Sequence, residues 1–105
     1  SIRKLWHHYY PGTDGIVFIV DSSDKRRFPS AHLELHALMR NPLLQNIPFL
    51  IFANKQDLPG AATTSEVTNA MKMYEIKNRP WKVGESVGTS GMGIDEGFGW
   101  LSHNI

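Results

Sequence analysis

The chain has 105 residues, of which 41% are hydrophobic and 20% charged, and its formal net charge is +1 at pH 7. This length fits one small domain with a single core, and the balanced charge argues against a nucleic-acid-binding domain, which usually carries a strongly basic face. The sequence contains no cysteine, which excludes disulfide bonds and thiolate metal sites. We expect no signal peptide, and no apolar run approaches the roughly 18 residues of a membrane span.

The hydrophobic pattern predicts one helix followed by three strand–helix units. In chain order the predicted elements are a helix at residues 2–10, a turn at 11–15, a strand at 16–20 that ends in Asp21, a helix at 28–40, a strand at 49–53, a turn at 58–60, a helix at 66–73, a strand at 81–87 and a helix at 94–105. The first two strands are continuous apolar runs, which predicts burial on both faces. Strands alternating with helices indicate an α/β domain whose parallel strands are joined by right-handed crossovers.

Polar residues and glycines predict where the helices begin and how stable they are. Ser22-Ser23-Asp24 offers capping side chains after the first strand, and Thr64 or Ser65 is the predicted cap of the helix at residues 66–73. Gly97 and Gly99 are expected to weaken the last helix by about 1 kcal/mol each relative to alanine.

The tetrapeptide Asn54-Lys55-Gln56-Asp57 directly follows the second predicted strand and has the chemistry needed to recognise guanine. Asp57 can accept two parallel hydrogen bonds from the N1–H and the amine of guanine, whereas adenine offers no such pair of donors. Asn54 can bond the loop and the imidazole edge of the base, and the aliphatic stem of Lys55 can cover the ring. The alternative is a polar turn in which Asn and Asp serve turn chemistry alone.

A second loop, Ser86-Val87-Gly88-Thr89-Ser90, follows the third predicted strand. Ligands of parallel sheets bind outside the carboxyl ends of the strands, where both loops lie. Backbone N–H groups here could face the O6 atom of guanine, with Gly88 allowing close approach. The alternative is a glycine-rich connection without a ligand.

Several segments together resemble the second half of small GTPases of the ADP-ribosylation factor (Arf) and Arf-like family. The matching segments are IRKLWHHYY at residues 2–10, TDGIVFIVDS at 13–22, FANKQDLP at 52–59 and TSGMG at 89–93, with Glu96-Gly97 and Trp100-Leu101. The FANKQDLP form is highly characteristic of this family among Ras-like GTPases. The resemblance implies a three-layer, parallel-sheet Ras-like GTPase fold, truncated to its last three strands and helices. Residues 1–105 would then be the C-terminal part of a single GTPase domain.

The resemblance also implies site residues. Asn54, Lys55 and Asp57 would bind guanine together with the loop at Val87 and Gly88. That loop departs from the family's T-C-A-T segment in three of four places, including Gly88 for the alanine whose N–H meets the base.

The family's effector-binding surface corresponds to residues near the start of the chain, namely Ile2, Leu5, Trp6, His8 and Tyr9. An exposed cluster of this composition would also bind protein on physical grounds. The alternative is that Trp6 and Tyr10 pack against the sheet. Lys4 stands where the family usually has proline.

The chain lacks the phosphate-binding motif G-x-x-x-x-G-K-[ST] and the D-x-G-G-Q segment that holds the family's catalytic glutamine. We therefore expect no GTP hydrolysis by the family mechanism from these residues alone, and Mg²⁺ only in a protein that also has the upstream half. Because the chain starts with Ser1, we expect a fragment, a processed form or the ordered part of a longer protein. Its first strand would otherwise leave a bare, aggregation-prone edge, so we expect the 105 residues alone to be marginally stable.

Two functions follow from the resemblance. The first is the GTP- and GDP-binding portion of an Arf-family GTPase that regulates vesicle-mediated transport. It would have effector, exchange-factor and GTPase-activating partners, and would be cytoplasmic with peripheral association to Golgi or other endomembranes through a region outside this chain. The alternative is a non-catalytic Arf-like remnant that acts as a structural or interaction subunit.

Three further patterns favour structural interpretations. The glycines of Gly91-x-Gly93-x-x-x-Gly97 miss the dinucleotide-binding spacing by one residue. His32 and His36 could share a metal ion at their helical spacing, but no third ligand is evident, which favours a solvated helix face. The charged segment 24–27 is most simply a solvated turn.

Overall fold

A computed structural model describes residues 14–88 and 90–105, and confirms the predicted order of three strand–helix units. The elements are β1 (Ile16–Asp21), α1 (Phe28–Met39), β2 (Phe49–Asn54), α2 (Thr64–Ala70), β3 (Trp81–Glu85) and α3 (Ile94–His103), with single 3-10 turns at Lys25–Arg27, Pro42–Leu44 and Met73–Glu75. The sequence-based bounds of β3, α2 and α3 were too long at their C-terminal ends by two or three residues. The predicted helix at residues 2–10 lies outside the described residues.

The three strands form one parallel sheet in the order β1-β2-β3, with β2 in the centre. Asp21 at the end of β1 is level with Asn54 at the end of β2, and Ala53 is level with Glu85 at the end of β3. The carboxyl ends of all three strands therefore meet at one edge of the sheet, and the loops that follow them are neighbours.

Helices cover the sheet on both faces, as expected for an α/β fold. One face packs against α1 and α2 through the larger core cluster, which includes Phe18, Leu35, Phe49, Ile51 and Val67. The opposite face packs against α3 through a smaller cluster formed by Leu50, Phe52 and Leu101.

Burial of β1 on both faces was predicted and is wrong for one of them. Ile16, Phe18 and Val20 are buried, but Ile19 on the opposite face is 52% exposed. On that face Val17 packs against the cluster that contains Leu101 of α3, whereas Ile19 does not belong to this cluster. The central strand β2 is buried from Phe49 to Ala53, as the sequence predicted.

The cap of α2 is one residue earlier than predicted. Thr63 Oγ1 accepts a hydrogen bond from the N–H of Glu66 (3.1 Å), and the Glu66 carboxylate accepts one from the N–H of Thr63 (2.9 Å). This reciprocal capping box satisfies two N–H groups that have no partner inside the helix. Donation from the Thr63 backbone lowers the pKa of Glu66.

The predicted capping role of Ser22-Ser23-Asp24 is also wrong. Asp24 precedes the 3-10 turn at Lys25–Arg27 without a side-chain capping bond, and α1 begins directly after that turn. The turn itself is exposed, with an ion pair between Arg27 and Asp24 (3.1 Å), in agreement with a solvated charged segment.

Two polar side chains join the elements on the α1 face. His36 Nε2 lies 2.7 Å from the carbonyl oxygen of Met71 at the end of α2, so the expectation of a solvated face is wrong for His36. Arg79 is 8% exposed and donates to the carbonyl oxygens of Leu44 (2.8 Å) and Met39 (2.6 Å). Its guanidinium also lies over the ring of Phe49, 5.0 Å from the ring centroid.

Candidate guanine-binding site

The candidate site consists of the loops after β1, β2 and β3 at the carboxyl edge of the sheet. Backbone hydrogen bonds join these loops directly. The N–H of Ser22 donates to the carbonyl oxygen of Asn54 (3.1 Å), and the N–H of Gln56 donates to that of Ser86 (3.2 Å). The parallel register therefore continues beyond the strands and holds the predicted base-reading segment between its two neighbours.

The loop after β2 turns sharply at Lys55, whose φ of 62° lies in the left-handed region. The N–H of Leu58 donates to the carbonyl oxygen of Lys55 (3.1 Å), which closes the turn around Gln56 and Asp57. A left-handed conformation is costly for a side chain other than glycine or asparagine. Lys55 adopts this conformation within a loop that hydrogen bonds hold to both neighbouring loops.

Asn54 is oriented by the loop after β3. Ser86 is almost completely buried, and its Oγ donates to Asn54 Oδ1 (3.0 Å). The two N–H groups of the Asn54 amide have no hydrogen-bond partner among the described residues. They can therefore donate to an acceptor such as the N7 atom of a purine, in agreement with the predicted role of Asn54 at the imidazole edge.

Gly88 lies beside this amide. A Cβ atom added to Gly88 would sit 3.5 Å from Asn54 Nδ2, which is ordinary contact, so the space admits alanine as well as glycine. The departure from the family's alanine at this position is thus sterically neutral.

Val87 and Gly88 differ in what their backbones can offer. The N–H of Val87 donates to the carbonyl oxygen of Met92 (3.1 Å), and the Val87 side chain is buried. The Val87 N–H is therefore already used inside the loop. Gly88 is exposed, and its N–H has no partner among the described residues. Of these two N–H groups, that of Gly88 is therefore the one that can donate to a carbonyl oxygen such as O6. Thr89, the next residue, is outside the described part of the chain.

Gln56 holds the candidate base-reading loop in place, a role that the sequence did not reveal. Its Nε2 donates to Ser22 Oγ (3.0 Å) and to the carbonyl oxygen of Ala62 (2.8 Å), just before α2. Ser22 and Ala62 are fully buried. Gln56 occupies the variable position of the motif, and a pattern of residue types carries no information about which loop its amide reaches.

Lys55 forms an ion pair with Asp21, the last residue of β1. Lys55 Nζ lies 2.8 Å from Asp21 Oδ2. This hydrogen bond and those from Ser23 lower the pKa of Asp21, and the same contact with Asp21 raises the pKa of Lys55. The Lys55 ammonium is therefore held at the end of the neighbouring strand β1.

Asp57 is exposed at the tip of the turn. No hydrogen bond or ion pair joins its carboxylate to another described residue. A carboxylate with both oxygens open to solvent can accept the two donors of a guanine edge without first releasing a protein partner.

The glycines that suggested a dinucleotide fingerprint have packing roles instead. Gly93 has a φ of 84° and lies against the carbonyl oxygen of Glu85, where no Cβ would fit. A Cβ on Gly97 would sit 2.5 Å from the ring of Phe52. Both glycines let α3 approach the sheet closely.

The predicted effector residues Ile2, Leu5, Trp6, His8 and Tyr9 lie outside the described residues. In the part of the chain that is described, no helix is long and apolar enough to cross a membrane.

A sequence model of the ADP-ribosylation factor family matches residues 1–105, the whole length of the chain. The chain belongs to the ADP-ribosylation factor family. Arf proteins are small GTPases that bind GTP and GDP, and the three parallel strands with their helices fit the Ras-like GTPase fold. The FANKQDLP segment forms the end of β2 and the turn that follows it. The segment that resembles the family most closely therefore lies in the candidate site.

Proposed function

We propose that this chain binds the guanine base of GTP and GDP for an Arf-family GTPase. In the proposal Asp57 accepts the N1–H and the amine of guanine, Asn54 donates to its imidazole edge, and the Gly88 N–H donates to O6. Lys55 covers one face of the ring with its aliphatic stem. Val87 contributes through the loop that carries Gly88.

One observation carries the proposal. The hydrogen bond from Ser86 to Asn54 (3.0 Å) joins the two loops that were predicted separately to read guanine. In the loop after β2, the Asn54 amide N–H groups and the Asp57 carboxylate have no partner among the described residues. Fixed orientation combined with open donors and acceptors is what preorganised recognition requires.

The finer parts of the function rest on membership of the family. We propose effector, exchange-factor and GTPase-activating partners, a role in vesicle-mediated protein transport, and peripheral association with Golgi or other endomembranes. Ile2, Leu5, Trp6, His8 and Tyr9 are the proposed effector contacts. Mg²⁺ is expected only together with a phosphate-binding segment.

Substitution Asp57→Asn tests the base-reading role of Asp57. An asparagine amide accepts one hydrogen bond and donates another, so it matches the N1–H and the second carbonyl of xanthine. We expect the change to lower affinity for guanosine monophosphate by at least about tenfold, the scale of one lost charge-assisted hydrogen bond, and to raise affinity for xanthosine monophosphate. Both ligands would be titrated by heteronuclear NMR.

The matched control is Asp14→Asn, which makes the same chemical change at an exposed position away from the three loops. It should leave both affinities unchanged. Unchanged guanine preference in the Asp57→Asn variant would rule out the assigned role of Asp57.

A further inference from the structure

Lys55 has one carboxylate close to it in the chain and another paired with it in the fold. Asp57 is two residues further along the same turn, and Asp21 is at the end of the neighbouring strand. The ammonium pairs with Asp21 at 2.8 Å, and no described ion pair joins it to Asp57. The choice of Asp21 matters because Asp57 needs both oxygens free to receive guanine.

Hydrogen bonds that do not involve Lys55 orient the Asp21 carboxylate for this contact. Its Oδ1 accepts hydrogen bonds from the N–H (3.0 Å) and the Oγ (2.6 Å) of Ser23, which leaves Oδ2 directed to Lys55. A carboxylate fixed by two local donors loses little conformational freedom when it binds a cation. Asp57 has no comparable bonds among the described residues, so Asp21 is the better partner for the ammonium.

The ion pair contributes little to folding, because the side chains of Lys55 and Asp21 are 48% and 39% exposed. Water and dissolved salt screen the attraction in pairs this exposed. The ion pair therefore affects the orientation of the Lys55 side chain and not the stability of the fold.

We propose that Asp21 is a positioning residue for guanine binding, which acts by holding the Lys55 ammonium away from Asp57. The contact has two effects on the site. It keeps the Asp57 carboxylate free for the two donors of the base, and it extends the Lys55 stem from the end of β2 toward the end of β1, where the stem can cover the ring. This inference rests on the proposed guanine-binding function and adds a residue that the base-reading motif does not contain.

Substitution Asp21→Asn, made with Lys55 present and again with Lys55→Met, tests the proposal. With Lys55 present, the released ammonium competes for Asp57, and we expect affinity for guanosine monophosphate to fall by roughly 2- to 5-fold, the range of an exposed ion pair. With Lys55→Met the competitor is gone, so Asp21→Asn should leave the affinity unchanged. Heteronuclear NMR titration measures all four affinities, and the double-mutant cycle isolates the coupling.

Two controls separate positioning from a general charge or folding effect. Asp14→Asn removes the same charge before the start of β1, away from Lys55, and it should not change the affinity. Asp21→Glu keeps the charge and should restore most of the affinity. Thermal midpoints of all variants should agree with that of the parent protein.

Each contrary result has a distinct meaning. Equal loss of affinity in both Lys55 backgrounds would show that Asp21 does not act through Lys55, and would overturn the proposal. Normal binding by Asp21→Asn would overturn it as well, while the proposed guanine-binding function stood. Absence of any binding of guanosine monophosphate by the parent protein would overturn both.

Discussion

Gly97 shows how a single residue can have opposite meanings in a sequence and in a fold. Within an isolated helix it weakens α3, because glycine loses more backbone freedom than alanine on folding. In the tertiary structure it faces the buried ring of Phe52, and an added Cβ would lie 2.5 Å from that ring and 3.2 Å from Leu50 Cδ2. Gly99 has no neighbouring atom within 4 Å of such a Cβ. The two glycines therefore respond differently to the same substitution.

We expect Gly97→Ala to destabilise the protein by about 2 kcal/mol, because the new methyl group overpacks a fully buried aromatic ring. Gly99→Ala is the matched control on the same helix. It should stabilise the protein by up to about 1 kcal/mol through helix propensity. Urea denaturation of both variants measures the two free energies of unfolding, and equal changes of the same sign would contradict the proposed packing of α3 on β2.

At the scale of elements, the start of α2 shows how local chemistry fixes a boundary. Thr63 and Glu66 bond each other's backbone N–H groups, and the helix begins directly after Thr63. The loop before α2 also carries Ala62, whose carbonyl oxygen accepts from Gln56. The segment that leads into α2 is therefore also joined to the loop after β2.

Substitution Thr63→Ala should cost about 1 kcal/mol of unfolding free energy, since one backbone N–H loses its partner. Ser65→Ala is a suitable control, because Ser65 is an exposed residue inside the helix and alanine is the better helix former. It should change stability by less than about 0.5 kcal/mol. Urea denaturation at neutral pH measures both variants, and a loss no larger than that of the control would contradict the capping box.

The same cap makes a small contribution to the pH dependence of folding stability. The folded-state pKa of Glu66 is lowered from 4.5 by the N–H of Thr63. The stabilisation is therefore present above pH 4.5 and is lost as the pH falls through the lower folded-state value. Because Glu66 is exposed, the effect is small, and it should show as a slightly flatter acid limb of the stability profile in a Glu66→Gln variant.

For the molecule as a whole, Arg79 links parts of the chain that no local pattern connects. It joins the end of α1, the 3-10 turn at Pro42–Leu44 and the ring of Phe49 at the start of β2, from a position just before β3. Burial lowers the pKa of Arg79, although an arginine stays protonated at neutral pH. The two carbonyl oxygens that it satisfies lie close to helix ends, where the partial negative charge favours a cation.

Replacing Arg79 with methionine should destabilise the protein by about 2 kcal/mol, since it leaves two carbonyl oxygens without their donors. Arg26→Met, at an exposed position of the 3-10 turn before α1, is the control and should stay within about 0.5 kcal/mol of the parent. Arg79→Lys should fall between them, because an ammonium keeps the charge but lacks the planar fork that reaches both oxygens. Thermal and urea unfolding measure the series, and a neutral Arg79→Met variant would refute the linking role.

Much of the fold could be predicted from the sequence, because continuous apolar runs and helical spacing are local properties of the chain. The strand at residues 49–53 and the helix around Leu35 and Leu38 follow from such patterns, and the turn at Leu58-Pro59-Gly60 follows from its turn-forming residues. The structure contains each of them. The solvent exposure of Ile19 could not be predicted in this way. It depends on where α3 lies across the sheet, and no window of sequence around β1 contains that information.

In the candidate site, too, some features follow from the sequence and others from the tertiary structure. The sequence by itself determined which residue types can read guanine, because the donors and acceptors of Asn54 and Asp57 are fixed by their chemistry. Only the tertiary structure decided which groups orient the side chains of the loop after β2. Ser86 donates to Asn54, Gln56 donates to Ser22, and Asp21 pairs with the ammonium of Lys55. These partners are 32 to 34 residues apart in the chain. They become neighbours because parallel pairing brings the carboxyl ends of three strands to one edge of the sheet.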